Sequence, residues 1–144
     1  MMREAPLLRA DFVSFATLGT RWGDNDAYGH VNNVVYYAWF DTAVNALLVE
    51  AGTLDPASSP VVGLVVDSRC SYFAPISFPE SIEIGIAVEH LGRSSARYRL
   101  GVFKQGRDRA AAQARYTHVY VERATRRPAA LPDMVRALLR PLML

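Results

Sequence analysis

The chain has 144 residues, of which 51% are hydrophobic and 21% are charged, and its formal net charge is +2. This length suits one domain with one hydrophobic core, so we expect a single domain over residues 1–144, and the composition excludes a disordered chain. Basic residues are spread along the sequence, with one doublet at Arg126 and Arg127, and this distribution does not indicate a nucleic-acid partner.

The first predicted element is a strand, because residues 11–22 mix Phe, Val and Thr and are followed by a glycine. The next segment, GDNDAYGH at residues 23–30, is crowded with Gly, Asn and Asp. These residue types build tight turns, so we expect a loop here.

A long helix is predicted to follow this loop. Asn32 and Asn33 precede a run that contains neither Gly nor Pro until Gly52. Asparagine is a good N-cap and glycine a good C-terminal cap, so the run predicts one helix of about five turns. Apolar residues occupy most of its circumference and only Asp41 and Asn45 make a polar stripe, so we expect the helix to be buried on nearly all sides.

After a predicted loop at residues 53–60, the hydrophobic period changes to the alternation that is typical of half-buried strands. Four strands are predicted, at residues 64–72, 82–89, 96–104 and 112–123, and a short helix at residues 132–140. The short connections, which include a hairpin turn at residues 105–108, imply an antiparallel sheet. A curved sheet wrapped around one long central helix is an α+β architecture of the hotdog type, and this is the fold that we predict.

Residues 21–33, RWGDNDAYGHVNN, concentrate the side chains that are most capable of chemistry. Asp24, Asp26, His30 and three asparagines lie here between the predicted strand and the predicted helix. The same residue types build tight turns, so their spacing alone leaves a structural role and a chemical role equally open. A metal site is not predicted, because hard-metal sites draw more carboxylates and zinc prefers more nitrogen or sulfur ligands.

The segment RWGDNDAYGHVNNVVYYAWFDTA resembles the signature of the 4-hydroxybenzoyl-CoA thioesterase-like family of hotdog proteins, within its acyl-CoA thioesterase branch. That signature runs Arg, aromatic, Asp-x-Asp-x-x-Gly-His-Val-Asn-Asn, and then a Tyr and a Phe-Asp pair in the helix. The matching residues are Arg21, Trp22, Asp24, Asp26, Gly29, His30, Val31, Asn32, Asn33, Tyr36, Phe40 and Asp41. The later GRSS and the closing ATRRPAALPD also resemble this branch, so the resemblance runs from residue 15 to residue 133.

The resemblance implies a catalytic role for the second aspartate of the pair, which is Asp26, either as a nucleophile through a mixed anhydride or as a general base for water. It also implies that a backbone N–H at the start of the central helix polarises the thioester carbonyl, and this N–H maps onto Asn33. Free N–H groups and the positive end of a helix dipole suit a developing oxyanion. His30 is expected either to contact the substrate or to orient the loop.

The resemblance further implies that Gly29 and Tyr36 belong to the substrate site. Arg93, Ser94 and Ser95 resemble the segment that flanks the CoA groove, so contact with phosphate is one interpretation of them. A solvated strand end is the other interpretation of the same residues.

Other polar residues are assigned by the same reasoning. Arg126 and Arg127 are a second candidate for contact with the CoA phosphates. Asn32 is predicted to be the N-cap or a brace of the loop. Asp24 and Asp41 are predicted to be structural, Asp41 as a buried hydrogen-bonding group in the helix.

Hydrolysis of an acyl-CoA thioester without a cofactor is the leading functional hypothesis. An acyl-carrier-protein thioesterase is an alternative, because both substrates share the phosphopantetheine arm. A non-catalytic acyl-CoA-binding hotdog protein is another, although such a protein has no use for a carboxylate like that of Asp26. Hotdog dehydratases pair a histidine with an acid on the partner's helix, a pattern that this motif does not follow.

The single cysteine, Cys70, excludes an internal disulfide, and in its strand-like run it is predicted to be buried. The first residues contain no apolar core of a secretory signal, and no apolar stretch reaches ~18 residues, so we expect a cytoplasmic protein without a membrane partner. Exposed sheet edges together with the resemblance predict a homodimer or a homotetramer.

Overall fold

The computed structural model describes residues 4–144, which form five β-strands and two α-helices. The strands are β1 (Ser14–Gly19), β2 (Val61–Tyr72), β3 (Ser81–Leu91), β4 (Ser95–Lys104) and β5 (Ala112–Glu122), and the helices are α1 (Asn33–Glu50) and α2 (Asp133–Leu139). Short 3-10 turns lie at Arg9–Asp11, Trp22–Asp24 and Arg140–Leu142. The predicted order of a strand, a long helix, four strands and a short helix is therefore confirmed.

The five strands form one antiparallel sheet in the order β1-β3-β4-β5-β2. Because β1 and β2 are the two edge strands, the strands that flank α1 in sequence are the outermost strands in space. The helix contacts β1, β2 and β3 and lies against one face of the sheet. A long helix held by a curved antiparallel sheet is the predicted α+β hotdog fold, which is confirmed.

The main core lies between α1 and this face of the sheet. The buried helix residues recur at helical spacing and are Tyr36, Trp39, Phe40, Ala43, Val44 and Leu48. They meet the inward side chains of the strands, such as Ile82, Ile84 and Ile86 of β3, which alternate along the strand. Full burial of one such side chain contributes ~1.5–3 kcal/mol, so this interface holds the helix, and with it the loop before it, in place.

Both predicted caps of α1 are confirmed. Asn32 has an extended backbone (φ −62°, ψ 140°), and its side-chain oxygen accepts a hydrogen bond from the Val34 N–H at 3.1 Å. At the other end Gly52 has a φ of +75°, a left-handed conformation that glycine adopts without a steric penalty. The helix therefore begins directly after the Asp- and Asn-rich loop.

The prediction that α1 is buried on nearly all sides is wrong. Val34 is 64% exposed and Val49 is 43% exposed, because one sheet covers only the side of a helix that faces it. Asp41 is also exposed rather than buried, although it accepts a hydrogen bond from the Tyr116 hydroxyl at 2.5 Å. The helix thus keeps one uncovered side in the single chain.

The first strand is shorter than predicted. It covers only Ser14–Gly19, while Trp22–Asp24 form a 3-10 turn and Phe12 packs in a second small cluster with Phe103. The turn forms because a buried carboxylate, that of Asp24, draws the backbone back on itself. In addition, β2 begins at Val61 rather than Leu64. No helix in the part of the chain that the structure describes is long and apolar enough to cross a bilayer.

Candidate active site

Asp24 fastens the loop between β1 and α1. Its side chain is 1% exposed and accepts hydrogen bonds from the Arg21 backbone N–H at 2.7 Å and from the Arg21 guanidinium at 3.1 Å. The Asp24 carbonyl oxygen also accepts a hydrogen bond from the Asn32 N–H at 2.9 Å. These contacts link the start of the loop to the start of the helix, so the position of Asp24 suits a structural role.

Replacement of Asp24 by Asn is expected to lower the free energy of unfolding by about 1.5–3 kcal/mol. An amide weakens the charge-assisted hydrogen bonds to Arg21 and buries an N–H donor for which the carboxylate site has no acceptor. Urea unfolding followed by circular dichroism measures the change. A variant with the stability of the parent protein would contradict this assignment.

Asp26 lies at the centre of the same loop and is only partly buried. Its Oδ1 accepts a hydrogen bond from the Tyr28 backbone N–H at 2.9 Å. Its own backbone N–H donates to the His30 carbonyl at 2.8 Å, and its carbonyl accepts from the Gly29 N–H at 3.1 Å. Gly29 has a φ of +81°, which favours glycine at this turn. The carboxylate is therefore held through one oxygen by a rigid backbone, while its other oxygen has no hydrogen-bond donor within residues 4–144.

A cleft of about 560 Å³ opens beside this loop and brings four of the predicted site residues together. These four are Asp26, His30, Asn33 and Tyr36. The rest of the lining comes from Tyr28 and Val31 and from the segment Tyr72–Pro75, which ends β2 and follows it. Asp26 and Asn33, the first residue of α1, thus line one common space.

The start of α1, which lines this cleft at Asn33, has an unpaired hydrogen-bond donor within residues 4–144. The Val34 N–H donates to the Asn32 side chain and the Val35 N–H to the Asn32 carbonyl, at 3.1 and 3.0 Å. The Asn33 N–H, by contrast, has no acceptor among residues 4–144. An unpaired N–H at the positive end of a helix dipole attracts an oxygen that carries developing negative charge.

Other predicted residues lie outside the cleft. Gly29 belongs to the loop, and its carbonyl accepts a hydrogen bond from the Ser77 hydroxyl at 2.8 Å. The predicted CoA-flanking residues, Arg93, Ser94 and Ser95, lie at the turn between β3 and β4, beside the end of β5. The cleft adjoins the beginning of β5, where Tyr72 pairs with Ala112, whereas Ser95 pairs with Val119, about 23 Å further along an extended strand. One chain therefore does not bring Arg93–Ser95 to Asp26.

Sequence reasoning missed the contribution of Tyr72. Its hydroxyl lies 3.4 Å from the Asn33 carbonyl oxygen, and its ring meets that of Tyr36 edge to face at 5.0 Å. Burial raises the pKa of Tyr72 and raises that of Tyr36 to about 12, so both hydroxyls are neutral donors at pH 7. The only local signal was an aromatic residue at the end of an alternating strand, which does not reveal that the strand ends at the helix N-terminus.

Two other features of the described chain, the thiol of Cys70 and a second cavity, are less suited to hydrolysis than the cleft beside Asp26. Cys70, which was predicted to be a buried thiol, is half-buried, and burial raises the pKa of its thiol to about 11, so the thiol is protonated and a poor nucleophile. A smaller cavity, of about 240 Å³ beside His118, has no carboxylate in its lining. Within residues 4–144, no three histidine, cysteine or carboxylate side chains are grouped as a metal ion requires.

Comparison with known proteins gives consistent matches. Residues 20–139 match the model of the thioesterase-like superfamily. The structure is similar to that of the PA5185 protein from Pseudomonas aeruginosa strain PAO1, with 51% sequence identity, 96% coverage of each chain and a TM-score of 0.93. Gentisyl-coenzyme A thioesterase BH1999 is 25% identical, with 87% of this chain and 98% of that chain covered and a TM-score of 0.77. A search among curated proteins gave no match.

A more distant structure shares the fold. Slr0204, a 1,4-dihydroxy-2-naphthoyl-CoA thioesterase from Synechocystis, is 14% identical, with 87% of this chain and 93% of that chain covered and a TM-score of 0.79. Because the family model spans most of the sequence, the chain belongs to the thioesterase-like superfamily, as predicted. The general class of its reaction is the hydrolysis of thioesters.

Proposed function

We propose that this protein hydrolyses an acyl-CoA thioester to a free acid and CoA, with Asp26 as the catalytic carboxylate. The observation that carries the proposal is that Asp26 and Asn33 line one cleft, while the Asn33 N–H has no acceptor within residues 4–144. Membership of the thioesterase-like superfamily supports it. The name of BH1999, a gentisyl-coenzyme A thioesterase, supports a CoA thioester as the substrate.

The Asn33 N–H is assigned to the carbonyl oxygen of the thioester. Attack on the carbonyl carbon moves negative charge onto this oxygen, and the N–H and the positive end of α1 stabilise that charge. A donor of this kind contributes ~3 kcal/mol to transition-state stabilisation. The Asn33 side chain takes no part in this step, because the donor belongs to the backbone.

The free oxygen of Asp26 acts in one of two ways. As a nucleophile it attacks the carbonyl carbon, the C–S bond breaks, CoA leaves as a thiolate that is then protonated, and water hydrolyses the resulting anhydride. As a general base it removes a proton from a water molecule that attacks the same carbon; the C–S bond then breaks, and CoA leaves as a thiolate that takes up this proton. The hydrogen bond from the Tyr28 N–H to the other oxygen orients the carboxylate for either route.

The remaining residues are assigned to positioning. His30 lines the cleft, and its carbonyl holds the Asp26 N–H, so we assign it to orienting the loop. Gly29 permits the turn by its positive φ. Tyr36 lines the wall that the acyl group contacts.

A thiol-release assay over short-chain, long-chain and aromatic acyl-CoAs tests the proposal. We expect turnover of at least one class by the parent protein. Binding of CoA without hydrolysis of any thioester would identify a binding protein instead. Turnover of acyl groups only when they are carried on an acyl-carrier protein would change the assigned substrate.

We also propose that the protein is a homodimer or a homotetramer. β2 is an edge strand and pairs only with β5 within residues 4–144. Three consecutive apolar residues on it are exposed, Leu64 by 36%, Val65 by 46% and Val66 by 59%. An exposed apolar edge strand offers unpaired backbone groups to a second copy of the same strand.

Light scattering is expected to give two or four times the 16.0 kDa mass of the chain, as a homodimer or a homotetramer requires. Val66→Lys on β2 should weaken the assembly at micromolar concentration, because it places a charge at the edge. Met134→Lys is the matched control, since Met134 is 56% exposed but lies on α2. A parent protein that stays a 16.0 kDa monomer at this concentration would refute the assembly.

A further inference from the structure

The connection between β2 and β3 contacts both the cleft and the loop that contains Asp26. Its first part, residues 73–75, lines the cleft. Its next part, residues 76–78, forms hydrogen bonds with the loop before and after Asp26. One short segment therefore supplies a wall of the cleft and also holds the turn that carries the proposed catalytic carboxylate.

Two of these hydrogen bonds involve backbone groups of the connection. The Phe78 N–H donates to the side-chain oxygen of Asn25 at 3.1 Å, directly before Asp26. The Val31 N–H donates to the Ile76 carbonyl at 2.7 Å, at the other end of the loop. The two ends of the loop are thus fastened to the same three residues of the connection.

The third hydrogen bond comes from the Ser77 side chain and reaches the turn itself. The Ser77 hydroxyl donates to the Gly29 carbonyl at 2.8 Å. The Gly29 N–H in turn donates to the Asp26 carbonyl at 3.1 Å, so Gly29 closes the turn that begins at Asp26. Among the three hydrogen bonds, this one alone uses a side chain of the connection. A substitution at Ser77 can therefore remove it without altering the backbone contacts.

Ser77 is itself held firmly. Its N–H donates to the Glu80 carboxylate at 2.9 Å, and the Glu80 N–H donates to the Ser77 carbonyl at 2.9 Å. The Glu80 carbonyl accepts a hydrogen bond from the Thr20 hydroxyl, just after β1, at 2.6 Å. Ile76, the preceding residue, is fully buried. The hydroxyl therefore projects from a fixed turn and can restrain the peptide that it contacts.

The position of the Asp26 carboxylate depends on restraint from outside its own turn. Within residues 4–144 this side chain accepts a hydrogen bond only from the Tyr28 N–H, which belongs to the same turn. That contact orients the carboxylate relative to the turn but does not fix the turn relative to α1. Catalysis is sensitive to such placement, because a shift of about 1 Å can lower a rate by about 10².

We propose that Ser77 is a positioning residue for the reaction: by holding the Gly29 carbonyl, its hydroxyl fixes the Asp26 carboxylate relative to the start of α1. The proposal rests on the acyl-CoA hydrolysis proposed above and adds a residue that acts through the loop. Ser77 does not line the cleft, so its removal should change the rate of the chemical step rather than the binding of the substrate.

Ser77→Ala is expected to lower kcat by about tenfold with KM nearly unchanged. The variant should remain folded, because the hydroxyl is not deeply buried. Steady-state thiol release and a melting curve by circular dichroism measure these quantities. A purely structural role would lower the melting temperature without this loss of kcat per folded molecule, and that result would overturn the proposal.

Two further variants test whether the hydroxyl is the cause. Ser77→Thr keeps a hydroxyl and should restore most of the parent kcat. Ser58→Ala is the matched control, because it removes a serine hydroxyl with a hydrogen bond of the same length, 2.8 Å to Asp55, in the loop between α1 and β2. It should keep the parent kcat. A loss of kcat that is equal in Ser77→Ala and Ser77→Thr, or in Ser77→Ala and Ser58→Ala, overturns the proposal.

Hydrogen–deuterium exchange separates this proposal from the proposed function. In Ser77→Ala, backbone amides within residues 25–31 should exchange about fivefold faster than in the parent, because one hydrogen bond to the turn is lost. Unchanged exchange overturns the proposal whatever the kinetics show. If the parent hydrolyses no thioester, the proposed function fails, while faster exchange still supports the hold of Ser77 on the turn. If the parent hydrolyses acyl-CoA and Ser77→Ala keeps its kcat, the assignment of Ser77 fails alone.

Discussion

Replacement of Asp26 by Asn is expected to lower kcat by about 10²–10⁴ while KM and the fold stay close to those of the parent. The amide has nearly the shape of the carboxylate, and its oxygen can still accept the Tyr28 N–H. It can neither attack a carbonyl carbon nor remove a proton from water, so both proposed routes are closed. If the carboxylate is the nucleophile, the loss is larger still. Steady-state thiol release, together with a melting curve by circular dichroism, measures both quantities.

Asp24→Asn is the control for this experiment, because it removes the same charge two residues away in the same loop. It should lower stability but leave turnover per folded molecule near that of the parent, since both oxygens of the Asp24 carboxylate already accept hydrogen bonds from Arg21. Parent-like turnover by a folded Asp26→Asn protein would end the proposed mechanism. Loss of activity in Asp24→Asn alone, with its stability intact, would transfer the catalytic role to Asp24.

Replacement of Asn33 by Pro is expected to lower kcat by about 10²–10³ without unfolding α1. Proline has no N–H, so the variant removes the proposed donor to the thioester carbonyl. Asn33 is the first residue of the helix, a position where proline is well tolerated. Asn32 before it already has φ −62° and ψ 140°, the extended conformation that a following proline requires. The same thiol-release assay and the helical signal in circular dichroism measure the outcome.

Asn33→Ala separates the backbone donor from the side chain. Alanine keeps the N–H, so this variant should retain most of the parent kcat. If Asn33→Ala loses as much activity as Asn33→Pro, the side chain rather than the N–H carries the effect. If both variants keep full activity, the thioester carbonyl is polarised by another group.

Local patterns predicted the elements of this fold well. The caps at Asn32 and Gly52 depend on neighbouring residues in the sequence, and the structure contains them as expected. The half-buried alternation predicted for β3 is wrong over residues 84–88, which are buried on both faces because the small cluster around Phe12 covers the second face. The proximity of Asp26, His30 and Asn33 to one another was also predictable from the sequence. Asp26 and His30 lie in one short loop, and Asn33 begins the helix that follows it.

Features that depend on strand order were not predictable in this way. The sheet places the end of β2, and therefore Tyr72, against the start of α1, while Arg93 lies at the far end. Pairing between strands that are distant in the sequence decides which ends meet, and no local period encodes it. The prediction that Asp41 is buried was wrong for a related reason, because the burial of a helix residue depends on how far the sheet extends around the helix.

The hydrogen bond from Tyr28 to Asp26 has a consequence for how this enzyme class diversifies. The backbone of residue 28 anchors the carboxylate, whereas its side chain is 85% exposed and lines the cleft. Every amino acid except proline can supply that anchor, so the identity of residue 28 is free to change while the proposed catalytic carboxylate of Asp26 keeps its place. A change of side chain at residue 28 can therefore alter the shape of the cleft without moving the carboxylate of Asp26. A directed-evolution library aimed at a new acyl group has its natural starting point there.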